Sequence, residues 1–158
     1  MSKSNLIAYT DGSFNNAAQL VGASSILYVG EQPIILLQRL KDKKYLKLNQ
    51  IAGEIRGALN AIKFAIEHGY KKITIYHDYN GLGHWVNGDW AARKPFSKYY
   101  LDKIHYFNQF IDINLVEVTG HSDNKGNNLA DFMAKLASNL EPTLPEEKDM
   151  TYHIQIID

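Results

Sequence analysis

The chain has 158 residues, 45% of them hydrophobic and 22% charged, which suits one soluble domain with a genuine core. Its 17 basic and 17 acidic side chains cancel, so bulk attraction to polyanions is excluded; any nucleic-acid role must rest on local patches and metal ions. The absence of cysteine removes disulfides and thiolate metal sites, no apolar run is long enough to span a membrane, and Met1–Ser4 shows no signal-peptide pattern. The expectation is a cytoplasmic monomer with no membrane partner.

The stretch Asn5–Ser13 is an apolar run of strand length that closes on Asp11, after which Gly12-Ser13 reads as a turn. Such a run suits a central strand buried on both faces. A carboxylate at its carboxyl end lies where open α/β sheets place their ligands. Val21–Val29 and Pro33–Leu40 are two further β-like runs, split by Gly30-Glu31-Gln32, and predict an antiparallel meander. The basic stretch Lys41–Lys47 reads as a solvated loop.

From Gln50 to about Glu67 the period becomes helical, with Ile51, Ile55, Ala58, Leu59, Ile62, Ala65 and Ile66 on one arc. Glu54 lies at the margin of that arc, where a carboxylate withdrawn from water needs a cation or hydrogen-bond donors. Gly57 costs such a helix up to about 1 kcal/mol relative to Ala. It fits either the approach of something bulky or tight packing of the helix on a sheet.

Lys72–Asp78 predicts a fourth strand, again closing on Asp. The helical crossover implies a parallel neighbour, so Asp78 is expected beside Asp11 at one sheet edge. His77 points to the opposite face and reads as structural. Gly81–Val86 predicts a short helix in which Trp85 packs. The loop Asn87–Pro95 mixes Trp90 with Arg93 and Lys94, a composition that suits a phosphate backbone or a local hydrophobic anchor. A helix over about Ser97–Phe110 and a fifth strand over Ile113–Val118 follow.

Gly120–Asn127 is a polar loop that carries His121. The last helix has Leu129, Phe132, Met133, Leu136, Ala137 and Leu140 on its apolar face. Asp131 is expected in its first turn, where an acid suits the helix macrodipole. Glu141–Asp149 is an acidic stretch with Pro142 and Pro145, and Tyr152–Ile157 alternates like a strand. The predicted organisation is one domain over residues 1–140, then a tail over 141–158 whose segment 152–157 docks as an added strand or an apolar lid.

Four acids at one edge of a sheet repel each other unless divalent cations sit among them. Hard oxygen ligands without Cys or clustered His point to Mg²⁺ or Mn²⁺ rather than zinc. Two such ions about 4 Å apart are a standard device for in-line phosphodiester displacement.

The motifs Tyr9-Thr10-Asp11-Gly12-Ser13, Asn49–Glu54, Tyr76-His77-Asp78, and Gly120-His121-Ser122 leading to Leu129-Ala130-Asp131 occur in an order and spacing that resembles type 1 ribonuclease H. The likeness runs from about Leu6 to Leu140. The second and third motifs are most similar to bacterial enzymes that carry an N-terminal hybrid-binding domain, which is not expected here. The resemblance implies an α/β fold: a five-stranded mixed sheet, three antiparallel strands then two parallel, with helices on both faces. It implies endonucleolytic hydrolysis of the RNA strand of RNA/DNA hybrids by two Mg²⁺ ions, with Mn²⁺ as a substitute, leaving 5′-phosphate and 3′-hydroxyl ends. Asp11, Glu54, Asp78 and Asp131 match the family's metal-binding carboxylates, and His121 its loop histidine, which serves proton transfer or product release. Gly12, Ser13, Asn49, Gln50, Trp85, Arg93 and Lys94 are the candidate substrate contacts. The chain departs from some relatives in lacking a longer lysine-rich insertion after Trp85, and from many in the spacing between Asn49-Gln50 and Glu54. Another nuclease on the same scaffold and a non-catalytic hybrid-binding module are the rival readings; the His121 loop argues against the first and the four acids against the second.

Overall fold

A computed structural model describes residues 3–118, 125–139 and 153–157. Its sheet is ordered β5-β4-β1-β2-β3-β6, with β1 (Lys3–Asn15), β2 (Leu20–Tyr28), β3 (Ile34–Leu40), β4 (Tyr70–His77), β5 (Asp112–Glu117) and β6 (His153–Ile157). The expected five strands are therefore six. The added strand is β6, which pairs parallel with β3 from Ile34↔His153 to Gln38↔Ile157. The meander β1–β2–β3 is antiparallel, while β4 runs parallel to β1 and β5 parallel to β4.

Alternation along β1 feeds two apolar layers, because successive side chains face opposite ways. Leu6 and Ala8 enter the larger core, shared with α2 (Gln50–Glu67), α3 (Gly81–Asn87) and α4 (Pro95–Phe107). Tyr9 packs instead against the smaller core, in which Ile26, Ile35 and Leu37 meet Ala130, Met133 and Leu136 of α5 (Lys125–Ala137). The first strand is thus covered on both faces, as its unbroken apolar run requires.

The chain does not turn at Gly12-Ser13. β1 continues to Asn15 because β2 keeps pairing with it, Gly12 opposite Ala23 and Ser13 opposite Gly22. Pairing with β4 ends earlier, at Tyr9↔Tyr76. Asp11 therefore lies just past the end of the parallel pair, on a strand still held from its other side.

Two helices press on β2 through small residues. A Cβ on Gly57 would lie 2.8 Å from Ser24 O, and one on Gly53 2.8 Å from Gly12 Cα. On the opposite face, a Cβ on Gly22 would lie 2.8 Å from Ser138 N just past α5. The glycines of α2 thus serve helix–sheet packing. Ser25 Oγ donates to Gly57 O (2.7 Å) and Ser24 Oγ to Ala130 O (2.6 Å), tying one strand to both helices. Arg39 on β3 donates to Ala137 O (2.8 Å) and to Asn139 O, satisfying carbonyls at the end of α5.

Two local expectations change. The basic stretch is not all loop: Lys43–Leu46 forms the one-turn helix α1, whose N-cap Asp42 accepts from Lys44 N–H at 3.1 Å. The fourth helix begins at Pro95, whose fixed φ suits a first helical position, and Ser97 Oγ accepts from Lys94 N–H at 3.2 Å. Among the described residues, no helix is long and apolar enough to cross a membrane.

Candidate active site

The contact between Gly12 and Gly53 sets the geometry of the site. A Cβ on Gly12 would collide with Gln50 O and Glu54 N, so only glycine lets α2 settle this close to β1. Asp11 precedes one member of the pair and Glu54 follows the other, and the approach of the backbones brings their carboxylates together. Asp78 arrives by register: Asp11 lies two residues beyond Tyr9 and Asp78 two beyond Tyr76, the last pair of the parallel ladder. One carboxylate oxygen from each of Asp11, Glu54 and Asp78 lies within 4.8 Å of the other two.

Asp11 and Glu54 are each 3% exposed, whereas Asp78 is open to solvent. Burial, then the adjacent Asp11 and Asp78, push the Glu54 carboxyl well above its usual range. Asp11 is pushed up to about 6, chiefly by burial and further by the charges of Asp78 and Asp131. Hydrogen bonds from Glu54 and from Gly12 N–H, the latter 2.8 Å from Oδ1, hold it from rising more. Glu54 Oε2 is buried without a hydrogen-bond partner. Such an oxygen is costly unless something of opposite charge meets it.

Asp131 is close but is not one of this group. The helix begins at Lys125, so Asp131 stands past the first turn rather than in it, and the macrodipole does not account for it. Its carboxylate is half exposed and lies 3.0 Å from Lys135 Nζ, one turn on, which raises the Lys135 amine. Its helix is tied to the strand beside the site, since Ser24, opposite Asp11 in the ladder, donates to the carbonyl of Ala130.

The other sequence candidates separate. Asn49 and Gln50 are exposed at the start of α2, Asn49 with a φ of 56°. Arg93 and Lys94 are exposed before α4. Gly12 lies beneath α2, and Ser13 accepts from Ser138 Oγ at 3.4 Å. Trp85 is 8% exposed and ringed by Tyr79, Trp90, Phe96 and Tyr100, which leaves little of its surface open. Trp90 is the accessible indole, 40% exposed and stacked on His84 at 4.9 Å. His121 and its Gly120 and Ser122 neighbours lie outside the described residues.

Sequence reasoning missed Tyr79. Its ring covers Gly81, where a Cβ would lie 2.8 Å from the hydroxyl. The phenol is raised by burial and by the charge of Glu54, which places it beside the carboxylates. Its carbonyl accepts from His77 Nδ1 at 2.9 Å, so the turn after β4 is fastened on both sides of the chain. Burial lowers the His77 pKa and favours the neutral ring, in keeping with a structural role. The one available signal for Tyr79 was its place next to Asp78.

The family model for RNase H matches residues 3–139. The chain belongs to the ribonuclease H family. Solved structures agree in fold. An RNase H1 from the halophilic archaeon Halobacterium salinarum superposes with a TM-score of 0.69 at 16% identity, covering 84% of this chain and 96% of that one. The N-terminal RNase H domain of Rv2228c from Mycobacterium tuberculosis, solved as a fusion with maltose-binding protein, gives 0.68 at 14%, covering 85% and 96%. LC11-RNase H1, solved in complex with an RNA/DNA hybrid, gives 0.65 at 13%, covering 85% and 99%. No curated protein matches the sequence significantly. The protein is thus a ribonuclease H nuclease, and the acidic group Asp11, Glu54 and Asp78 could hold a metal ion.

Proposed function

We propose that this ribonuclease H hydrolyses the RNA strand of RNA/DNA hybrids at Asp11, Glu54 and Asp78, leaving 5′-phosphate and 3′-hydroxyl ends. The observation that carries this reading is the carboxylate group itself, in which the buried Asp11 and Glu54 have raised pKa values and Glu54 Oε2 is orphaned beside Asp78. An all-oxygen donor set of this kind fits Mg²⁺, with Mn²⁺ as a substitute, and does not suit a soft metal. Asp131 would join as a fourth ligand on release from Lys135, giving room for two ions. When bound, such ions supply the positive charge that favours a hydroxide nucleophile and a departing 3′-oxygen.

The chain's own residues do the rest. Asp11, Glu54 and Asp78 fix where the scissile phosphate lies. The Gly12–Gly53 contact holds Glu54 against water, and His121 carries a proton or eases product release. Asn49 and Gln50, exposed at the start of α2, would contact 2′-hydroxyls across a wide, shallow minor groove. Arg93 and Lys94, with Trp90 between them and α3, offer a small cationic and aromatic surface for the phosphate backbone. With net charge zero, affinity should be modest and recognition geometric.

The test is a set of labelled duplexes at one salt concentration, with and without Mg²⁺. The hybrid's RNA strand should be cut in Mg²⁺ while single-stranded RNA and all-DNA duplex are spared. Equal cleavage of hybrid and DNA duplex would replace this reading with that of a general nuclease.

A further inference from the structure

The sheet ends in two unlike edges. β5 exposes Asp112, Asn114 and Glu117, the polar and charged dressing that discourages a further strand. β6 has no Lys, Arg, Asp, Glu or Pro between His153 and Ile157. Among the described residues its one ladder partner is β3, so alternate residues turn their N–H and C=O groups outward. Ile154 packs on the α5 layer, whereas Ile156, on the same face, is 71% exposed. Gln155 and Ile157 face the other way and border a groove of about 320 Å³ against Phe64 and His68 of the α2 layer.

We propose that β6 is a self-association edge: two copies of this chain join antiparallel, β6 to β6, about a two-fold axis through Gln155, making one continuous sheet. The register follows from the side chains. With Gln155 opposite its own copy, Ile154 of each chain lies opposite Ile156 of the other, on one face, twice. His153 lies opposite Ile157, and no two like charges meet. Each opposed β-branched pair is favourable in an antiparallel ladder, and the exposed Ile156 gains cover. This register pairs all five residues of the strand; an axis through Ile154 or Ile156 pairs fewer. So short a strand buries less than the roughly 800 Å² per partner of a standard interface, and the association is weak and concentration-dependent. The inference is independent of the reading of the acidic site.

The chain contains no cysteine, so an introduced thiol reports without background. Residues directly opposite in antiparallel strands have Cα atoms about 4.5–5.5 Å apart, within disulfide reach. Gln155→Cys should therefore form a covalent dimer on mild oxidation. His153→Cys should not, since residue 153 lies about 13 Å from its own copy along the strand. In sedimentation velocity from about 1 to about 200 µM, the natural chain should shift from 18.0 kDa toward twice that mass. Ile156→Lys should stay at 18.0 kDa with its thermal midpoint retained, since that side chain is already in water. The proposal is overturned by a natural chain that remains at 18.0 kDa throughout, by equal cross-linking of the two cysteine variants, or by a dimer that Ile156→Lys leaves intact.

Discussion

Two sets of carboxylates in this protein are chemically alike and physically opposite. Asp11 and Glu54 are buried against each other with raised pKa values, and one oxygen of Glu54 has no partner. Asp131 stands half exposed on a helix and pairs with Lys135 at 3.0 Å. The fold buries one acidic pair at the strand ends and pairs the acid that stands nearby with a lysine. Under the proposed function, the buried pair would be the core of the site and Asp131 an auxiliary ligand.

Asp11→Asn or Asp78→Asn should separate the two sets most sharply. Hybrid cleavage in Mg²⁺ should fall by about three orders of magnitude or more, because the charge that holds the cations is gone. The metal-free protein should melt at the same or a higher temperature than the natural chain, since repulsion is relieved. Near-normal turnover by a well-folded Asp78→Asn would detach the acidic group from catalysis.

The seat of the buried pair comes next. Gly12→Ala or Gly53→Ala should cost about 3 kcal/mol or more in urea unfolding, because the new Cβ meets backbone rather than a yielding side chain. Gly83→Ala, with open space around its Cβ, should be stabilising by up to about 1 kcal/mol. Equal effects at the two kinds of position would show that α2 does not rest on the sheet through its glycines.

The pH dependence of the metal-free protein is a finer instrument. A carboxyl whose folded pKa is raised adds stability that is fully present below its unfolded pKa and lost as pH rises through the folded one. For Asp11 that window runs from 3.8 to about 6. The natural chain should therefore lose stability relative to Asp11→Asn across it, on the order of 3 kcal/mol. Saturating Mg²⁺ should remove the difference. A rise in relative stability with pH would reverse the assignment.

The smallest effect belongs to Asp131. Lys135→Met breaks a surface i,i+4 pair and should cost about 0.3–0.5 kcal/mol. The Mg²⁺ concentration for half-maximal cleavage should fall slightly, as Asp131 is released toward the site. A tenfold loss of activity would show that Lys135 itself belongs to the machinery.

Much of the site was legible because local physics writes it locally. Apolar runs that close on Asp11 and Asp78 mark strand ends, and a helical arc with Glu54 on its margin marks a withdrawn acid. Right-handed crossover then brings the two strand ends together, as the Tyr9↔Tyr76 register shows. The long helix over Gln50–Glu67 follows from periodicity, and the place of β4 beside β1 from the crossover rule.

Other features depend on partners distant in sequence, and local pattern is silent on those. Whether β1 turns after Asp11 depends on β2, which goes on pairing to Asn15. Gly57 faces a strand rather than a ligand because Ser24 lies beneath it. Trp85 is buried and Trp90 exposed because the former meets Tyr79, Phe96 and Tyr100. Residue type and period thus determine which groups exist and which face they share. Long-range packing decides which of them meet, since burial, close approach and charge pairing are properties of neighbours in space.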